Sequence, residues 1–254
     1  MYKFKFKDLI FLTNRRQIQK EVIFLFYGLG LSSEDFRKTL YNNKSLKQII
    51  IAELPGHNNI PFKKYDDTIL EFTKKIYLFI KKKNIKNIIF FSHSLGGLVP
   101  ILLYKYFFKK KIRIKKFINY EGNLTEQDTE MVTKKTASYK ESEFFNKFQK
   151  LLIICKQSDK LDLNLWYKSM CKTSVMAFYF LSRDAVKYSK GDVLLRYFKI
   201  FFKKKIYLHG SLSNKHLPKY IYGSVRQEIC GCGHFGHYEN LFEFNKIFNK
   251  LVIR

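Results

Sequence analysis

The stretch "NIIFFSHSLGG", residues 87–97, sets Ser94 at the end of an apolar run and follows it with Gly96 and Gly97. A serine hydroxyl is a weak nucleophile until a base takes its proton, so its surroundings decide whether it reacts. A strand that turns sharply into a helix lifts its apex residue above the carboxyl edge of a sheet. That turn is strained, and the residues two before and two after the apex must be small. Here those neighbours are Ser92 and Gly96. The apex also begins a helix, where unpaired amides favour negative charge. The Leu95 amide is therefore placed to stabilise an oxyanion forming beside Ser94. The pattern reads as a nucleophile elbow, S-x-S-x-G in place of G-x-S-x-G. The stretch alone would also suit a tight turn in another parallel sheet; the order strand, turn, helix favours the elbow.

Elements must position this serine, and composition bounds them. The chain has 254 residues, 46% of them hydrophobic, enough for one large domain or a domain with an insertion. No apolar run approaches the roughly 20 residues of a membrane span. The start, "MYKFKFKDLIFL", alternates lysine with aromatics as a strand does and lacks the features of a signal peptide, so a cytoplasmic location is expected. Cys230 and Cys232 form a Cys-x-Cys pair that matches neither zinc nor redox spacing, and with Cys155 and Cys171 they read as reduced, mostly buried thiols. The formal charge of +27 suggests a polyanion partner. However, the lysines are spread over the whole chain, whereas a nucleic-acid footprint clusters on one face. No specific nucleic-acid partner is expected.

Short runs rich in β-branched and aromatic residues predict strands at 2–6, 9–13, 21–28, 47–54, 85–92, 115–122, 204–211 and 224–230. The third to fifth are apolar without alternation, as in a parallel sheet covered on both faces. The first two predict an antiparallel edge hairpin. Residues 66–84 carry an apolar stripe at helical spacing, with Asp66 or Asp67 as N-cap. Residues 94–110 predict a buried helix, kinked or locally broken by Pro100, and the chain closes on an amphipathic helix. Residues 123–203 hold helical patterns and no clear strand. They predict a helical cap inserted into a core of residues 1–122 and 204–254.

With these elements in place, most of the chain resembles the α/β-hydrolase superfamily. "LFYGLGLSSEDF" is similar to its His-Gly oxyanion loop, with Tyr27 replacing the histidine; the resemblance makes Leu29 the second oxyanion amide beside Leu95. "AELPGHNN" is similar to its Asp-x-x-Gly-x-Gly turn, with Glu53 and Asn58 at the first and last positions, and "FSHSLGGLVP" to its elbow. "GCGHFGHYENLFEF" resembles its closing motif, which implies His234 as catalytic base and leaves His237 as the competitor. His57 and His93 read as structural supports of their loops; His209 and His216 have no chemical context.

The family's usual acid position, after the seventh strand, falls near Ser213 or Asn214, neither a carboxylate. Some members carry the acid after the sixth strand, where this chain has Glu121 followed by Gly122. The resemblance thus implies Ser94, His234 and Glu121 as catalytic residues. A solvated loop carboxylate or a salt bridge to lysine is the other reading of Glu121. Glu126 and Asp128 read as the start of the cap.

A serine apex argues against dehalogenase or epoxide hydrolase chemistry, which needs an aspartate there. The implied fold is α/β: a mostly parallel eight-stranded sheet flanked by helices, with an inserted helical cap. The expected function is hydrolysis of a small carboxylic ester or thioester through an acyl-enzyme on Ser94, with no cofactor and no metal. Acyl transfer and carbon–carbon bond hydrolysis use the same residues. A non-catalytic ligand-binding protein of this fold is the rival from another class, motivated by Tyr27 and the empty acid position. Trp166, Tyr167, Met170, Phe178 and Tyr179 supply either the lining of a small-molecule pocket or the core of the cap.

Overall fold

The computed structural model describes residues 1–108, 112–213 and 225–253. Its centre is set by three apolar strands, β3 (Glu21–Phe26), β4 (Gln48–Ala52) and β5 (Asn87–His93), which are buried along almost their whole length. Strands of that composition need cover on both faces. They pair in parallel in the order β4-β3-β5. β1 (Tyr2–Phe6) and β2 (Leu9–Thr13) form the antiparallel hairpin, and β2 joins it to β4. On the other side β6 (Arg113–Tyr120), β7 (Lys205–Gly210) and β8 (Val225–Ile229) extend the sheet in parallel. The eight strands lie in the order β1-β2-β4-β3-β5-β6-β7-β8. The mostly parallel eight-stranded sheet is therefore as the sequence predicts.

Helices flank it. α1 (Arg37–Tyr41) follows a short 3-10 turn, Ser33–Phe36. α2 (Ile69–Lys82) buries Ile69, Phe72, Ile76, Phe79 and Ile80 against the sheet, and the Phe79 ring stacks 4.4 Å from that of Phe11. Its N-cap is Thr68, whose hydroxyl accepts from the Glu71 amide, and neither Asp66 nor Asp67. Asp67 is engaged one turn earlier, where its carboxylate accepts from the Lys63 amide.

The segment after Ser94 is not one helix. A 3-10 turn (Ser94–Gly97) leads into α3 (Leu98–Leu102), and a π-helical turn (Leu103–Phe107) ends it. Pro100 lies in the first turn of α3, where its missing N–H costs little, so the change of geometry falls beyond it. Lys109 and Lys110 lie outside the described residues.

Between β6 and β7 come α4 (Thr133–Ser138), α5 (Glu141–Lys156), α6 (Leu161–Met170), α7 (Val175–Ser189) and α8 (Val193–Phe201). Backbone and side-chain bonds fasten α6 and α7 to loops of the sheet. Ser174 N donates to Gly56 O (2.7 Å), Ile69 N to the Asp184 carboxylate (2.8 Å), and Ser169 Oγ to the Asp35 carboxylate (2.8 Å). α8 packs on the sheet itself, with Phe198 5.3 Å and Phe202 4.8 Å from Phe117 of β6. The chain closes with α9 (Gly236–Glu239) and α10 (Leu241–Ile253), two helices where the sequence suggests one; Asn240 (φ −143°, ψ 73°) separates them.

Among the described residues, no helix is long and apolar enough to cross a membrane. All four cysteines are free thiols. Cys155 and Cys232 are buried, but Cys171 and Cys230 are exposed, so the expectation of mostly buried thiols holds for only two of them.

Candidate active site

Because β5, β6, β7 and β8 are neighbours and parallel, the loops leaving their carboxyl ends open on one edge of the sheet. Ser94 follows β5, Glu121 follows β6, Ser213 lies beyond β7 and His234 beyond β8.

Ser94 has φ +52°, in the left-handed region that a non-glycine residue occupies only under constraint. Two close approaches show what holds it. A Cβ on Gly96 would lie 2.4 Å from Phe26 O, so only glycine lets the turn pass the end of β3. A Cβ on Gly28 would lie 2.7 Å from Ser94 Cβ. Ser92, at the first small position of the elbow, is fully buried, and its hydroxyl has no hydrogen-bond partner among the described residues. Serine fits there sterically, without a polar contact in return.

Glu121 is 1% exposed and also has a positive φ, +42°. Its Oε2 accepts from His234 Nδ1 at 2.8 Å. Its Oε1 accepts from Gly210 N at 2.9 Å and from the Ser213 hydroxyl. Ser213, near the usual acid position, thus donates to the carboxylate that occupies the alternative one. Asn214 and His216 lie outside the described residues. A carboxylate on Nδ1 keeps the proton on that nitrogen and directs the basic Nε2 the other way.

Three side chains fix the His234 loop. Tyr120 OH donates to Gly233 O (2.5 Å) and accepts from Gly236 N (2.8 Å). Glu239 accepts from Gly233 N (2.9 Å) and Phe235 N (3.0 Å), and burial raises the pKa of its carboxyl. His93 Nε2 donates to His234 O at 2.8 Å, so His93 ties the elbow to the histidine loop. Desolvation in the sheet edge raises the Tyr120 phenol well above its ordinary pKa and keeps it a neutral donor.

His237 does not join this arrangement. It is buried against Phe36, with ring centroids 4.4 Å apart, and both its ring nitrogens lack partners among the described residues. Burial lowers its pKa to about 3.

The loop carrying Leu29 is fastened from two sides. Trp166 Nε1 of α6 donates to Leu29 O (3.0 Å), and Gly30 N donates to His57 Nε2 (3.0 Å). His57 Nδ1 donates to Pro55 O (3.0 Å); burial lowers its pKa to about 4, so the ring is neutral and able to accept. The Leu29 amide has no acceptor among the described residues, and the Leu95 amide lies in the first turn after the elbow, where no intrahelical acceptor exists. Tyr27, at the histidine position of the resemblance, is turned into the structure. Its hydroxyl donates to Glu53 Oε2 (2.5 Å) and accepts from Leu54 N (2.8 Å).

Ser94, His234, Gly28 and Leu29 line one cavity of about 30 Å³, roofed by Met131, Val132 and Trp166. Of the five aromatic and sulfur side chains considered for a pocket, only Trp166 lines it; Met170, Phe178 and Tyr179 are core. Asp128 lines it too, with its carboxylate accepting from Leu124 N and Thr125 N. The motifs do not mark Tyr120 or Asn123. Tyr120 and Asn123 flank Glu121–Gly122, the one signal that pointed to their place.

No family model and no curated protein matches this sequence. Solved structures do match over nearly its whole length. MenH from S. aureus has 17% identity, with 95% of this chain and 97% of that one covered and a TM-score of 0.71. A structure from a study of carboxylesterases of the thaumarchaeon Nitrososphaera gargenis has 15% identity, 99% and 97% coverage and a TM-score of 0.73. Bromoperoxidase from Bacillus anthracis has 14% identity, 97% and 95% coverage and a TM-score of 0.74. At such identities the likeness is one of fold.

Proposed function

The chain has the α/β-hydrolase fold, and on it we propose a serine hydrolase that cleaves a small carboxylic ester or thioester through an acyl-enzyme on Ser94. One observation carries the reading: a buried carboxylate on Nδ1 of His234, with that histidine and Ser94 on the same cavity.

In the proposed reaction Ser94 Oγ attacks the substrate carbonyl and its proton passes to His234 Nε2. The amides of Leu29 and Leu95 bind the oxyanion. The intermediate collapses, and the leaving alcohol or thiol takes the proton from His234. Water then attacks the acyl-enzyme by the same route, giving the acid and free Ser94. Glu121 stabilises the imidazolium in both halves. No cofactor takes part in these steps. Residues 123–203 act as the cap, of which α6 and the segment 131–133 border the cavity beside Ser94.

A fluorophosphonate probe tests the reading. Label is expected at Ser94, absent from Ser94→Ala, together with hydrolysis of p-nitrophenyl acetate by the unaltered protein only. A folded protein that neither labels nor hydrolyses the ester overturns it in favour of a non-catalytic binding protein.

A further inference from the structure

Tyr27, Glu53 and Asn58 are positions at which the chain departs from the motifs it resembles, and the fold brings these three departures together. Glu53 follows β4 and is 2% exposed. Its Oε2 accepts from the Tyr27 hydroxyl (2.5 Å) and from Ser33 N (3.1 Å). Its Oε1 accepts from Asn58 Nδ2 (2.9 Å) and from the Ser33 hydroxyl. Donors on both oxygens compensate a buried carboxylate for lost water and hold it in one orientation.

Two of these partners bracket one loop. Tyr27 precedes residues 28–32 and Ser33 follows them, so both ends of the loop close on a single side chain. Inside it Leu31 N donates to Gly28 O (3.3 Å), and the Leu29 amide lies within that turn. The clamp is directional. Burial and the Glu53 charge raise the Tyr27 phenol well above its ordinary pKa, which keeps it a neutral donor. Asn58, at φ +51°, occupies the left-handed region that asparagine tolerates, and its amide turns back onto the first residue of its own turn. Neither Glu53 nor Tyr27 lines the cavity beside Ser94.

We infer that Glu53 is a positioning residue: by gripping Tyr27 and Ser33 it sets the Leu29 amide for the oxyanion. Tyr27 then serves the reaction through the loop, without touching substrate. Oxyanion donors stabilise the developing charge only when already aimed at it, so a loop slackened at its ends loses that contribution. This inference rests on the hydrolase reading and deepens it.

A pair of esters separates this role from mere support of the fold. p-Nitrophenyl acetate and its thiono analogue, with C=S in place of C=O, differ in how well the forming anion accepts from amides, since sulfur is a weak acceptor. The oxygen-to-sulfur ratio of kcat/KM is measured for the unaltered protein, Glu53→Gln and Tyr27→Phe. Loss of folded protein lowers both rates alike and leaves the ratio unchanged. Glu53→Gln sets an amide NH2 against groups that are themselves donors. Its ratio is expected to fall about tenfold or more, short of the roughly 100-fold or greater loss when a whole oxyanion donor is removed. Tyr27→Phe should shift the ratio in the same direction by less, and it carries the test if Glu53→Gln does not fold. A ratio equal to that of the unaltered protein in a folded variant overturns the inference and leaves the hydrolase reading standing. An unaltered protein that neither labels at Ser94 nor hydrolyses the oxygen ester removes both readings.

Discussion

His234 Nδ1 donates to Glu121 Oε2 at 2.8 Å across 113 residues of sequence, and the other oxygen of that carboxylate is held by Gly210 N and Ser213 Oγ. Three loops therefore converge on one buried charge. The polar contacts of the Glu121 carboxylate described here come from the ends of β7 and β8, so the carboxylate is oriented before any substrate binds.

Glu121→Gln should lower the turnover of p-nitrophenyl acetate by about 100-fold or more while leaving the circular dichroism spectrum intact, since neutralising this position in a serine site removes the charge that stabilises the imidazolium. Ser213 lies close enough to donate to the same carboxylate. The double variant Glu121→Gln with Ser213→Asp should recover about tenfold over Glu121→Gln alone, by returning a charge to that locus. A near-normal rate in Glu121→Gln removes Glu121 from the reaction.

Gly28→Ala should abolish fluorophosphonate labelling although it removes no reacting group. The added methyl would sit 2.7 Å from Ser94 Cβ and 3.2 Å from Ser94 Oγ, and neither the elbow nor the loop can yield without losing its bonds. Labelling at the unaltered rate would mean that the two loops are not in the contact described.

Tyr120→Phe leaves Gly233 O and Gly236 N without their shared partner in a buried place. At about 1–3 kcal/mol for an orphaned buried group, urea denaturation should show a loss of roughly 2 kcal/mol with an unchanged slope. The rate should fall as well, because those two bonds bracket His234.

His237→Phe should make the protein more resistant to acid. The folded pKa of His237, about 3, lies below its ordinary value of 6.5. Between those values the unfolded chain binds a proton that the folded chain refuses, so stability is full above pH 6.5 and falls as pH is lowered toward 3. At pH 5 this group alone costs roughly 2 kcal/mol relative to pH 8, a loss that phenylalanine cannot incur. Urea denaturation at pH 5 and pH 8 measures the difference. His57, with its pKa lowered to about 4, leaves a comparable acid dependence behind over that range.

The strands and the elbow are legible in the sequence because each follows from local rules, and the closing histidine is legible through the resemblance of its motif. Continuous apolar runs such as "NIIFF" must be covered on both faces, and a serine set among small residues marks a strand turning into a helix. The sequence places the cap of α2 one or two residues early, since Thr68 and Asp67 are both good cap formers and only the turn at Lys63 decides between them. What no local pattern contains is the pairing of distant groups. That Glu121 meets His234, that Ser213 supports it, and that Trp166 and His57 hold the Leu29 loop all depend on which strands lie side by side. Strand order brings the carboxyl ends of β5 to β8 to one edge, and burial there turns ordinary polar residues into groups that must find partners.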